Sequence, residues 1–156
     1  MPRLEQIAYD AGRHALADQE AQVAGIRQRA GTLLAAHALV ASFLGAGALR
    51  EAGATPLAWF ALAALGGGLL VAALLLAPWR MRFSLTLEEV HTAATSARWR
   101  TVYDPSDWLM AVALAYENAC ACNKQMVSWM TRLSTTFAVL VVVHAALWIA
   151  VLVGVE

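Results

Sequence analysis

The chain has 156 residues, a formal net charge of zero, 60% hydrophobic and 14% charged residues, and a mean hydropathy of +0.58. Soluble domains carry roughly a quarter charged residues and about half apolar ones, so this apolar surplus exceeds what one small core buries and points to a bilayer. Balanced charge argues against a nucleic-acid polymer as partner, and two cysteines, Cys120 and Cys122, are too few for a disulfide framework or a metal site without other ligands.

Residues 1–30 hold Arg3, Glu5, Asp10, Arg13, Asp18, Glu20, Arg27 and Arg29 and no continuous apolar core, which is not the pattern of a signal peptide. Tyr9, Gly12, Leu16, Gln19, Val23, Ile26, Ala30 and Leu33 follow a 3,4 spacing, and His37, Val40 and Leu44 continue it. The spacing predicts a helix over residues 4–30 that leads into a first span and packs on a partner, with Gly12 and Gln19 interrupting its stripe.

A spanning helix needs about 20 predominantly apolar residues. Leu33–Leu49, Leu57–Pro78 and Thr135–Val155 meet that need without an Asp, Glu, Lys or Arg. The link "REAGATP" makes the first two a hairpin, and Pro56 suits the first turn of the second. Arg50 lies in that link, and the remaining Lys and Arg residues all lie on the other side. The positive-inside rule then predicts a cytoplasmic N-terminus and 79–134 segment, and an outside C-terminus. Trp59 and Trp79 stand near span ends, where amphipathic rings favour the interface.

After the second span, Thr86 and Glu89 form a capping box for a short helix from about Leu87 to Arg98. Asp104 and Pro105 then start a long helix that runs without a breaker into the third span. Its expected seam is Val112, Ala115, Ala119, Cys122, Met126, Trp129 and Leu133. The expected fold is therefore all-α: an integral membrane protein with three transmembrane helices and a helical cytoplasmic bundle continuous with spans one and three. Its divisions are a cytoplasmic amphipathic helix (1–31), a transmembrane hairpin (32–78), a cytoplasmic helical segment (79–134) and a third transmembrane helix (135–156).

His37 and His144 fall inside spans. Ionisable groups there are costly and default to functional hypotheses, but a neutral imidazole is much cheaper than a full charge and can hydrogen-bond a neighbour, which favours structural packing over a pore or proton role. Counted from the start of each apolar run, His37 sits near the cytoplasmic edge and His144 near the midplane. The offset is about 9 Å, which argues against one metal shared by the pair. Gly66, Gly67 and Gly68 permit a kink or a close helix contact. Small residues four apart, such as Ala41/Gly45 and Ala64/Gly68, favour close helix approach and a homo-oligomer. No Walker loop, zincin motif or nucleophile elbow is present. Glu88, Glu89 and His91 read as a solvated helix face, and His14 and Lys124 are likewise without a partner motif. No enzyme activity, catalytic residue, metal or cofactor is expected.

The order of parts, and "RQRAGTLLAAHALVASFLG" in particular, resembles the small bacterial membrane effectors called SLATT proteins and the related PycTM (Pycsar transmembrane) proteins. The resemblance covers nearly the whole chain in architecture. It implies antiphage defence at the bacterial inner membrane: an oligomeric, pore-forming or membrane-perturbing effector triggered by a cyclic nucleotide from a partner cyclase. The chain departs from larger members in having no separate nucleotide-binding domain, and the resemblance assigns no ligand-binding residue. His37, His144 and Gly66–Gly68 are the pore or gating candidates. The alternatives are a constitutive ion channel or transporter subunit, which would conduct without a trigger, and a membrane scaffold that binds a soluble partner through its cytoplasmic helices.

Overall fold

The computed structural model describes residues 3–51, 55–95 and 105–154. It is all-helical, with no strand among the described residues. The helices are α1 (Leu4–Val40), α2 (Ala46–Glu51), α3 (Pro56–Leu76), α4 (Leu87–Thr95) and α5 (Pro105–Val153), and a π-helical turn, Ala41–Gly45, joins α1 to α2. Three helical stretches are long and apolar enough to cross a membrane: Leu4–Arg50, Pro56–Leu76 and Trp108–Val153. At 1.5 Å per residue, α3 is about 32 Å long, close to a hydrocarbon core of about 30 Å. By the same measure α5, with 49 residues, is about 74 Å long and outreaches such a core.

The chain divides into two compact units, Met1–Ala24 with Trp79–Ser128, and Gly25–Pro78 with Trp129–Glu156. Both α1 and α5 contribute to each. In the first unit, Leu16 and Val23 of α1 and Ala111, Val112, Ala119 and Val127 of α5 are buried. Tyr9 meets Tyr116 edge-on with ring centroids 5.8 Å apart. Gly12 lies so close to α5 that a Cβ there would sit 2.9 Å from the Tyr116 Cβ. Gln19 Nε2 donates to the Cys120 carbonyl at 3.1 Å. Both expected interruptions of the α1 stripe are thus contacts with α5.

Buried Asn123 fastens the segment after α3. Its Oδ1 accepts from Arg82 N at 3.1 Å and its Nδ2 donates to Arg82 O at 2.7 Å. One amide thereby satisfies both backbone groups of a residue outside any helix. Thr86 and Glu89 form the reciprocal capping box: Glu89 N donates to Thr86 Oγ1 at 3.2 Å, and Thr86 N to Glu89 Oε2 at 2.9 Å. The extension of α4 to Arg98 and the Asp104 cap lie outside the described residues.

In the second unit, α3 opens with Thr55 as its cap, whose hydroxyl accepts from Ala58 N at 3.3 Å, followed by Pro56 in the first turn. Its buried face is Ala58, Ala61, Gly68, Ala72 and Leu75, mostly small residues that let backbones approach. At its other end Arg27 Nη2 donates to the Ala77 carbonyl at 3.3 Å, a cation at a helix C-terminus where the macrodipole favours it. Ala48, Ala58, Ala61, Trp148 and Val151 form one buried cluster, flanked by Val40, Leu44, Leu147 and Leu152. The outward faces carry Phe43, Trp59, Phe60, Leu70, Val142 and Val153, all exposed. A soluble protein rarely leaves so much apolar surface in water; lipid accommodates it.

Candidate functional site

Among the described residues of the second unit, the fully buried titratable side chains are two histidines, His37 on α1 and His144 on α5, both 0% exposed. Their ring centroids are 4.4 Å apart, with planes inclined by 52°. The expected vertical offset of about 9 Å is therefore corrected. The start of an apolar run does not mark the same height on two helices, and both helices begin far upstream, at Leu4 and Pro105. The objection to a shared ligand goes with that offset, although no group of three His, Cys, Asp or Glu side chains suited to a metal occurs among the described residues.

Each ring is held by a second helix position. His37 Nε2 lies 3.3 Å from the Leu65 carbonyl of α3. His144 Nε2 accepts from the Trp148 indole N–H at 2.7 Å, one turn along α5. Phe137 packs edge-on against His37, with centroids 5.9 Å apart. The Nδ1 atoms of both histidines are buried and have no hydrogen-bond partner.

Two glycines shape this cluster by close approach. A Cβ on Gly68 would lie 2.5 Å from His37 Nε2 and 2.9 Å from its Cε1. The imidazole thus rests directly on the α3 backbone. A Cβ on Gly45 would lie 3.3 Å from two carbons of the Trp148 ring. Gly45 closes the π-helical turn, and such a turn shifts the helical register, frequently at functional sites. Of the expected glycine run, only Gly68 enters the cluster. Gly66 is exposed with open space around it, and Gly67 makes an ordinary contact 3.9 Å from Leu140 Cδ1. All three continue α3 as regular helix.

The expected seam of α5 is displaced from the observed one. Val112 and Ala119 are buried, and Ala115, Met126 and Leu133 are half-buried, but Cys122 and Trp129 are exposed. Beyond Ala119 the buried positions are Asn123, Val127 and Met130, then Phe137, His144, Trp148 and Val151. The polar Asn123 takes the place of Cys122 in the stripe, with its amide oxygen and nitrogen each bonded to the Arg82 backbone. The Trp148 contribution had a signal in "HAALW", since residues four apart share a helix face and a buried indole N–H needs an acceptor.

Comparison with protein-family models, with curated proteins and with solved structures finds no match to this chain.

Proposed function

We propose that this chain is a membrane-perturbing or pore-forming effector, working as an oligomer and gated by rearrangement of its apolar helices. The observation that carries this reading is the contact between His37 and His144, two ionisable side chains buried together among helices apolar enough to span. Such groups are costly in a bilayer, and a functional role is the default hypothesis for them. Both rings are fully enclosed, so neither lines a conduit in this arrangement. Conduction through them requires the helices to part, which favours a gated protein over a constitutive channel.

The resemblance to SLATT and PycTM proteins supports the rest of the proposal: antiphage defence, a bacterial inner membrane, and a cyclic nucleotide as trigger. The distribution of Arg and Lys supports a cytoplasmic N-terminus, a cytoplasmic placement for the helices around residues 79–134, and an outside C-terminus. A ligand shifts the closed and open arrangements only by its differential affinity for them, so the nucleotide must bind the open one more tightly.

The test is ion flux from liposomes that hold the purified protein, with and without cyclic nucleotides. Flux that needs the nucleotide, and that changes when His37 and His144 are both replaced by alanine, is the expected result. Flux without any nucleotide would move the assignment to a constitutive channel. No flux from folded, inserted protein would move it to a scaffold.

A further inference from the structure

We infer that His37 and His144 form a single proton-binding site, in which His144 Nδ1–H donates to His37 Nδ1 and an added proton breaks that link. The outer partners of the two rings fix their tautomers. A tryptophan indole N–H only donates, and a backbone carbonyl only accepts. The Trp148 N–H lies 2.7 Å from His144 Nε2, so that nitrogen presents its lone pair. A neutral imidazole has one N–H, and for His144 it must be on Nδ1. His37 Nε2 faces the Leu65 carbonyl at 3.3 Å, so it carries the proton and His37 Nδ1 is the lone pair.

The two unpartnered atoms are therefore one donor and one acceptor, both buried, on rings 4.4 Å apart. Buried polar groups in folded proteins are paired, and neither atom has another partner in reach, so each is the other's complement. The result is a run of hydrogen bonds from Trp148 through His144 and His37 to Leu65, which ties α5 to α1 and α1 to α3. The same logic disfavours a metal. A metal on His144 Nδ1 would move its proton to Nε2, where it would oppose the Trp148 N–H.

A third proton has no free place on the pair. His37 Nδ1 and His144 Nε2 are the two lone-pair nitrogens, and both accept hydrogen bonds. Protonating His37 Nδ1 sets two N–H groups against each other across α1 and α5. Protonating His144 Nε2 sets it against the indole. Either event costs one link of the run, so the closed helix contact belongs to the neutral pair and is lost as pH falls.

Among the described residues of this unit, no other charged side chain is bonded to either ring. Helix α3 has no titratable residue from Pro56 to Leu76. On α1, Arg27 is engaged with Ala77 O, and Arg29 is exposed, about eight residues or 12 Å along the helix from His37. Arg50 of α2 and Arg132 of α5 are exposed and farther along their helices.

The test is solid-state NMR of the full chain in lipid bilayers with 15N-labelled histidine. The four histidines are assigned through the single substitutions His14→Gln, His37→Gln, His91→Gln and His144→Gln. At neutral pH the expected result is Nε2–H on His37, Nδ1–H on His144, and a coupling across the hydrogen bond between their Nδ1 atoms. On acidification the coupling should vanish and both rings should change together. Trp148→Phe removes the donor that fixes His144 and should give it a mixture of tautomers. Nε2–H on both rings, absence of coupling at every pH, or an unchanged His144 tautomer in Trp148→Phe would each overturn the inference. A role for acid in gating rests on the effector proposal. The NMR readout does not, so a chain that never conducts but shows the coupling would sink only the proposed function.

Discussion

Gly68→Ala isolates the close fit between α3 and the histidine pair. The added Cβ would meet His37 Nε2 at 2.5 Å, Cε1 at 2.9 Å and Cδ2 at 3.2 Å. Favourable heavy-atom contacts lie at about 3.5–4.0 Å, so the ring must withdraw by about 1 Å. Its way is blocked by His144 and Phe137, which already touch it. Overpacking of this kind costs about 1–3 kcal/mol. Withdrawal also lengthens the 3.3 Å bond to Leu65 O, and a buried donor left without an acceptor costs about 1–3 kcal/mol more. Alanine recovers about 1 kcal/mol in helix propensity over glycine. The net expectation is a loss of about 1–5 kcal/mol.

The neighbouring glycines supply the control. Gly66→Ala meets nothing within 4 Å, and Gly67→Ala makes only an ordinary contact at 3.9 Å. Both should leave stability unchanged or raise it by up to about 1 kcal/mol. Unfolding of the purified protein in mixed micelles, titrated with denaturing detergent and followed by circular dichroism, ranks the three variants. If Gly68→Ala were as stable as Gly66→Ala, the ring would not rest on the α3 backbone, and the account of the cluster would fail.

Two further predictions concern the first unit. Asn123→Ala removes both bonds to the Arg82 backbone, and should cost about 1–3 kcal/mol and expose residues 79–86 to protease. Arg82→Ala removes only a partly exposed ion pair to Glu89, 3.0 Å long, and should cost less than about 1 kcal/mol. The Glu89 carboxyl is held below the usual carboxylate range, chiefly by the Thr86 backbone N–H, with the Thr86 hydroxyl and Arg82 adding to it. A depressed folded pKa means that the capping contribution is fully present above the unfolded value, about 4.3. It is lost as pH falls through the lower folded value. Hydrogen exchange at the Thr86 amide, corrected for intrinsic rate, should be flat from neutral pH down to about 5 and accelerate relative to that baseline in stronger acid. Glu89→Gln should remove the acid step; an identical profile in that variant would refute the capping role.

Spacing alone carried much of this fold. Along α1 the 3,4 stripe is buried at Leu16, Val23, Ile26, Ala30 and His37 and half-buried at Gln19 and Leu33, because one helix face of period 3.6 must find cover wherever it packs. Charge-free runs of sufficient length marked the helices able to span. The α5 seam was less legible because the residue that holds the stripe in register, Asn123, is polar. Hydropathy ranks Cys122 above it. Only the backbone of Arg82, 41 positions away, explains why an amide is the better occupant.

The histidine pair shows where a one-dimensional reading stops. Each histidine could be found, and each could be set on an inward face, but height is a relation between helices. Counting inward from the first apolar residue assumes that hydropathy changes at the same level on α1 and α5. It does not, because α1 carries Leu33 and Leu34 upward from a polar stem ending at Arg29, while the run of α5 opens on Thr135 and Thr136 with Thr131 one turn before them. The hydroxyls of Thr135 and Thr136 donate to the carbonyls of Thr131 and Arg132 one turn back. Such back-bonding lets threonine enter an apolar medium with its donor satisfied. Thr135 and Thr136 therefore belong to the apolar run that they open, and Thr131 could extend it. Moving the origin of α5 back by one turn, about 5.4 Å, raises the reading of His144 and makes the discrepancy larger; the contact must then come from α1. That helix brings Arg27 up to cap the end of α3 at Ala77, and a position for α1 fixed by that cap, rather than by its first leucine, sets His37 where Gly68 leaves room for its ring. Replacing Arg27 with leucine should therefore disturb the His37 signals in the labelled protein, while unaltered signals would show that the cap plays no part in the register.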